Sequence, residues 1–271
     1  GLDLHSVSFP IEFKDSANAR ISATKILRVN SLMLDNSGRA SQTPLTNPKV
    51  REAIALAINV DEMLKTILGG YGERTATGVN PLHFGFDPSV KPTPFDPERA
   101  KKLLAEAGYP NGFEITLNTY SGSITSVDQM ADAITGYLAK VGIKAKRRHI
   151  EDVGLWTKMG QEGKMEGMQY YSWGSNSIFD ADAILYALNY SKEPLSYTKD
   201  AALDQLLDEG RTTIDPKKRL EAYAKAQQLM HEKHYWIPIN VQYTIEGVNK
   251  NLNYEAGSDE MMRVYGASWK N

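Results

Sequence analysis

Between Ser172 and Leu185 the chain reads Ser-Trp-Gly-Ser-Asn-Ser-Ile-Phe-Asp-Ala-Asp-Ala-Ile-Leu, which crowds an aromatic ring with hydroxyl, amide and carboxylate groups. Trp173 offers a flat surface, and Ser172 and Asn176 offer neutral hydrogen-bonding groups, a combination that suits a small-molecule pocket as well as a core position. Asp180 and Asp182 could act as paired carboxylates, and with His149 they would form an acid-base set for hydrolysis. Their i, i+2 spacing equally fits a turn or the start of a helix. His231-Glu232-Lys233-His234 places its histidines at i and i+3, whereas a zinc-binding helix of the His-Glu-x-x-His type needs i and i+4, so no metal site is expected there. Gly69-Gly70-Tyr71-Gly72 follows a helical stretch instead of opening one, the reverse of a phosphate-binding loop, and reads as a helix end or hinge. Lys144, Lys146, Arg147 and Arg148 read as a solvated strand face in preference to an anion site. No Gly-x-Ser-x-Gly elbow or Walker A sequence is present, and no catalytic residue or cofactor is expected.

The elements that must position these groups are legible from periodicity. Val50, Ala53, Ile54, Ala57 and Ile58 form the apolar stripe of a helix, with Asn47 as cap and Pro48 in the first turn. A second helical stretch runs from Asp61, its candidate cap, to Leu68. Prolines at 81, 88, 92 and 94 predict loop from Gly69 to Phe95. Asp96-Pro97-Glu98 opens another helix, ended by Gly108. Phe113, Ile115 and Leu117 then alternate with Glu114, Thr116 and Asn118 as in a strand. A helix with Val127, Met130, Ala131, Ile134 and Leu138 on one face follows. A second strand spans Ile143 to Ile150, a short helix Asp152 to Gly160, and a third strand Met168 to Trp173. Two more helices cover Ala201 to Glu209 and Asp215 to Lys233. Candidate strands remain at Lys25 to Leu32 and Ile239 to Ile245.

Strand, helix, strand, helix, strand with short connections predicts a parallel βαβαβ core and hence an α/β fold. Its three strands should end on one edge, where ligands of open α/β sheets bind. That edge would gather Asn118, Thr119 and Tyr120 with His149, Glu151, Ser172, Trp173 and Asn176.

With 271 residues, the chain can bury a large core, and 31 basic against 33 acidic side chains leave a charge of −2, unlike the basic footprint of a nucleic-acid binder. The absence of cysteine excludes disulfides and thiolate chemistry, and suits either the cytoplasm or a bacterial periplasm. Apolar runs are too short to span a bilayer. Asp3, His5 and Glu12 interrupt any secretory signal at Gly1, which leaves two readings, a protein that is not exported or a chain without its natural N-terminus.

The stretch Asn47 to Asp61, with Val50-Arg51, Ala53-Ile54 and Ala57-Ile58-Asn59, together with Gly69-Gly70-Tyr71-Gly72, Phe95 to Tyr109 and Asn111-Gly112-Phe113, resembles the extracellular solute-binding proteins of family 5. These are the peptide, nickel and oligosaccharide receptors of ABC importers, and the resemblance covers about residues 26 to 245. It implies a periplasmic-binding-protein-like lobe with a βαβαβ core and helices on both faces of a mixed sheet. Since family members are longer and close two lobes over a ligand, it further implies a C-terminal portion of such a receptor. Residues 1–46 would be a hinge or lobe-crossing segment, 47–235 the second lobe, and 236–271 a return toward the first lobe.

The implied protein is monomeric and made with a signal peptide in its precursor. It would be periplasmic, or lipid-anchored in a cell with one membrane, and would deliver a small-molecule solute to an ABC permease in the inner membrane. In the family's peptide receptors a Gly-Trp pair is followed by an Asp that pairs with the ligand's α-ammonium. Here the pair is Ser172-Trp173, and the Asp position falls on Asn176, or on Asp180 after a local shift. An amide lacks the charge that roughly doubles such a bond. The implied solute is therefore a non-standard peptide, an opine-like conjugate or an oligosaccharide. Its wall would be Trp173 as stacking surface, Asn176 as polar anchor, Tyr120 as hydroxyl, and Ser172 and Asp180 beside them.

Overall fold

The computed structural model describes residues 16–41, 43–174, 178–261 and 263–270, and the backbone of 4–6. Its centre is the expected α/β core: β4 (Phe113–Tyr120), α4 (Val127–Lys140), β5 (Ile143–Ile150), α5 (Val153–Gln161) and β6 (Met168–Trp173). β4 runs parallel to β5, pairing Phe113 with Ile143 through to Tyr120 with Ile150, and parallel to β6, pairing Leu117 with Met168. The three strands therefore end on one edge of the sheet.

Two long strands complete the sheet. β2 (Ala19–Leu34) is antiparallel to β6 over Val29–Leu34, and β7 (Trp236–Asn249) is antiparallel to β2 along most of its length. With β1 (Leu4–Ser6) and β3 (Gly72–Arg74) paired to β7, the order is β1-β7-β2-β6-β4-β5. Both long strands exceed the runs expected from alternation, because their outer halves pair with each other beyond β6. β3 is a correction to the loop expected from Gly69 to Phe95, and its short pairing with β7 is non-local, invisible to a count of prolines.

Side-chain alternation assigns the two faces of the sheet. Leu32, Leu34, Ile237 and Ile239 pack with Val50, Ala53 and Ile54 of α1 (Pro48–Ala57) and with Met130, Ile134 and Leu138 of α4. Met33 and Trp236 face the other way, onto Ile184 and Leu185 of α6 (Asp182–Asn189), Leu203 and Leu207 of α7 (Ala201–Thr212), and Tyr223 and Ala226 of α8 (Pro216–Lys233). Helices thus cover both faces of a mixed sheet.

Helix entries follow local chemistry. Asn47 caps α1 by accepting from Lys49 N at 2.9 Å, Asp96 caps α3 (Pro97–Glu106) from Arg99 N at 2.9 Å, and Asp215 caps α8 from Lys217 N at 2.9 Å. The cap of α2 (Val60–Thr66) is Asn59, not Asp61: its amide oxygen accepts from Glu62 N at 3.2 Å and its amide nitrogen donates to the Glu62 carboxylate at 3.0 Å. Gly69 and Gly70 hold positive φ at the other end of α2, where Gly70 N donates to Leu64 O at 3.0 Å. Among the described residues no helix is long and apolar enough to cross a membrane.

Candidate functional site

The C-terminal edge of β4 and β6 is built on stacked aromatics. The Trp156 ring lies 4.5 Å from Tyr120, Tyr120 6.2 Å from Tyr171, and Tyr171 6.1 Å from Trp173 at an interplanar angle of 25°. Tyr120 is buried and its hydroxyl donates to the Ser172 carbonyl at 3.1 Å, so burial pushes its pKa up. Ser172 is buried as well, and the two form the inside of the wall. Trp173 is half-buried at its end, and its indole Nε1 has no hydrogen-bond partner among the described residues. Asn176 lies outside the described residues.

Trp173 lines a cavity of about 450 Å³ with Gly174, Ile178, Asp180, Asp182 and two arginines. Asp180 takes two hydrogen bonds from Arg219, at 2.7 and 3.0 Å, and accepts from Asp182 N at 2.9 Å. Asp182 takes Arg211 at 2.7 and 3.0 Å and the Tyr223 hydroxyl at 3.3 Å. Hydrogen bonds to these carboxylates raise the pKa of both arginines. The two acids are therefore neutralised pairwise, and Asp180 also orders the turn into α6. His149 does not line this cavity; its ring nitrogens lie 2.9 Å from Thr119 Oγ1 and 2.9 Å from Ser121 Oγ. The structure brings Tyr120, Ser172, Trp173 and Asp180 to one edge but does not assemble Asp180, Asp182 and His149 as a hydrolytic set.

The other polar clusters are also accounted for locally. Lys146 pairs with Glu114 at 2.6 Å, Arg147 with Asp128 and Asp132, and Arg148 donates to Asn118 Oδ1 at 2.7 Å. His231 and His234 lie with ring centroids 5.8 Å apart, and burial lowers the pKa of both, that of His234 to about 4.

A second cavity, of about 400 Å³, went unnoticed in the sequence. It lies between the Gly122–Ser126 loop and the β2–β7 ribbon, and its charged lining residues are Arg28 and Glu260. Arg28 Nε donates to Glu260 Oε2 at 3.1 Å, and Nη1 lies 3.4 Å from Ser172 Oγ. Gln242 braces the facing loop, donating to Ser123 O at 3.1 Å and accepting from Thr125 N at 3.4 Å. The one sequence signal was an arginine set inside the apolar run Ile26-Leu27-Arg28-Val29.

Comparison with known proteins decides the family. The model of the bacterial extracellular solute-binding proteins, family 5 Middle, matches residues 5–195. The chain belongs to this family. Glutathione-binding protein GsiB of Escherichia coli O1:K1 / APEC is 31% identical over 255 residues, covering 90% of the chain and 49% of that protein. Its counterpart in Escherichia coli strain K12 is 33% identical over 224 residues, covering 80% of the chain and 43% of that protein. The periplasmic binding protein DppA of Helicobacter pylori, solved with the peptide STSA, superposes with a TM-score of 0.83 at 27% identity, covering 99% of the chain and 52% of DppA. The chain spans about half the length of these family 5 relatives. They are solute-binding proteins.

Proposed function

We propose that the chain forms one wall of the cleft of an ABC importer's receptor and takes a small solute of peptide character. The reading is supported by family membership and by its similarity to GsiB, whose name specifies glutathione, and to DppA, solved with a peptide. Glutathione is a γ-linked tripeptide and thus a non-standard peptide in the sense expected from the neutral Asn176. The observation that carries the reading is the aromatic row ending at half-buried Trp173, whose ring lines a cavity of about 450 Å³.

In this proposal Trp173 stacks on the solute and Asn176 anchors it through a neutral hydrogen bond. Tyr120 and Ser172 set the height of the wall from behind. Asp180 would have to release Arg219 before holding a ligand ammonium, so it acts by fixing the segment. Residues 47–235 form the lobe together with the inner halves of β2 and β7, which pair into its sheet, while the outer halves of these two strands carry the chain toward an opposing lobe. β2 and β7 are the elements that cross. Closure of the two lobes about that hinge captures the solute, and the closed monomer, periplasmic or lipid-anchored, presents it to the permease of the inner membrane.

Calorimetry on the full-length protein tests this with glutathione, an α-linked tripeptide, its N-acetylated form and an oligosaccharide. Glutathione should bind most tightly, and acetylating the tripeptide should cost little. If the free tripeptide binds best and acetylation abolishes binding, the receptor is an ordinary peptide receptor; if only the oligosaccharide binds, the peptide reading falls.

A further inference from the structure

Among the described residues, Arg28 is the only cation lining the 400 Å³ cavity. Its side chain is 16% exposed and that of Glu260 is 34% exposed, so the pair is reachable from solvent while partly screened from it. The guanidinium is aimed by β6 as well as by Glu260: Nη1 lies 3.5 Å from the Ser172 carbonyl and 3.4 Å from its hydroxyl. Gly174 lies directly beneath the pair, where an added Cβ would come 2.7 Å from Glu260 Oε1 and 2.9 Å from Arg28 Nη2 and push both side-chain ends aside. The rest of the wall favours an anion. Thr125 and Ser126 line it at the start of α4, a 14-residue helix whose N-cap, Ser126, makes no side-chain capping bond. An uncapped first turn carries partial positive charge.

Glu260 is held there against its own backbone preference. Its φ is +64°, a left-handed conformation disfavoured for a residue with a Cβ. The segment bearing it is strapped to β2: Ser258 O accepts from Leu27 N at 2.9 Å, and Arg20 donates to Tyr254 O at 2.8 Å. A carboxylate has thus been brought to an arginine 232 residues away in a cavity large enough for a small molecule's end group.

We propose that Arg28 anchors a carboxylate of the solute and that Glu260 is an intramolecular carboxylate which the solute displaces. The proposal rests on the reading that the chain binds a peptide-class solute. Displacement exchanges one charge-assisted contact, in which Arg28 Nε and Nη2 both lie 3.1 Å from Glu260 Oε2, for another. Because Glu260 competes from within the same molecule, it lowers apparent affinity for acids and leaves affinity for masked acids alone.

Calorimetry with glutathione and its diethyl ester, on the full-length protein and its variants, tests this. The free acid should bind more tightly than the ester. Glu260→Gln should tighten the acid by about tenfold and leave the ester unchanged, and Arg28→Gln should erase the preference for the acid. Arg28→Lys, which keeps the charge without the fork, should fold as the parent does and keep a reduced preference. Weaker acid binding in Glu260→Gln would overturn the proposal by making Glu260 a partner of the solute's ammonium. Equal losses for acid and ester in Arg28→Gln would overturn it as well. If neither probe binds, the peptide reading fails, and the exchange is judged by NMR of the Arg28 Nε–H during an acetate titration. A response at lower acetate concentration in Glu260→Gln supports the exchange, and no response in either protein ends it.

Discussion

The His83 ring is buried, and its Nδ1 accepts from Asn80 N at 3.3 Å, a bond that only the neutral ring can make. Desolvation pushes its pKa down to about 4, and the nearby negative charge of Asp180 opposes that only in part. In the unfolded chain the value returns to about 6.5, so the unfolded state binds the extra proton first as pH falls. The stability His83 contributes is fully present above pH 6.5 and is lost as pH falls toward about 4. Urea midpoints measured across this window should therefore decline on acidification, and His83→Gln should flatten part of the decline, with His231 and His234 contributing to the remainder. The same dependence on distant neighbours limits what a residue's type reveals. Asp180 and Asp182 read equally well as an acid pair or a turn, and the choice was made by Arg219 and Arg211, about 39 and 29 positions away.

Helix entries were legible because a cap needs only its own next few residues, and Asn47, Asp96 and Asp215 act as their types suggest. Asn59 displaced Asp61 within that same local range, since an amide can serve both Glu62 N and the Glu62 carboxylate. Strand entry is decided differently. Gly112 and Gly142 precede β4 and β5, with φ of +72° and +92°, and the two backbones touch there; a Cβ at Gly112 would strike the Gly142 carbonyl. Gly112→Ala should cost more than about 3 kcal/mol, read as a urea-unfolding free energy, because strain adds to a backbone clash. Gly108→Ala, at φ +91° with no atom within 4 Å of the added Cβ, should cost only the left-handed strain, about 1–2 kcal/mol. Equal costs would show that the contact between strand entries adds nothing.

At the scale of the whole molecule, β2 has two environments. Val29–Leu34 lies between β6 and β7, whereas Ala19–Lys25 pairs with β7 alone, beyond a register shift between Lys25 and Val29. Hydrogen exchange by mass spectrometry should find the inner segment protected about a hundredfold or more above the outer one, since local opening of the ribbon need not break the core. Equal protection would mean that ribbon and core open as one unit, which would weaken the proposal of a crossing hinge. By itself the amino-acid sequence determined the βαβαβ order, the helix caps, the shared strand edge bearing Tyr120 and Trp173, and the resemblance to family 5, all of which rest on periodicity, local hydrogen bonding or contiguous motifs. Only the tertiary structure decided that β2 and β7 sit mid-sheet, that two arginines neutralise Asp180 and Asp182, and that Arg28 meets Glu260. Each of these joins segments far apart in the chain, and such pairings are chosen by the packing of the whole sheet and its helices, which no local window contains.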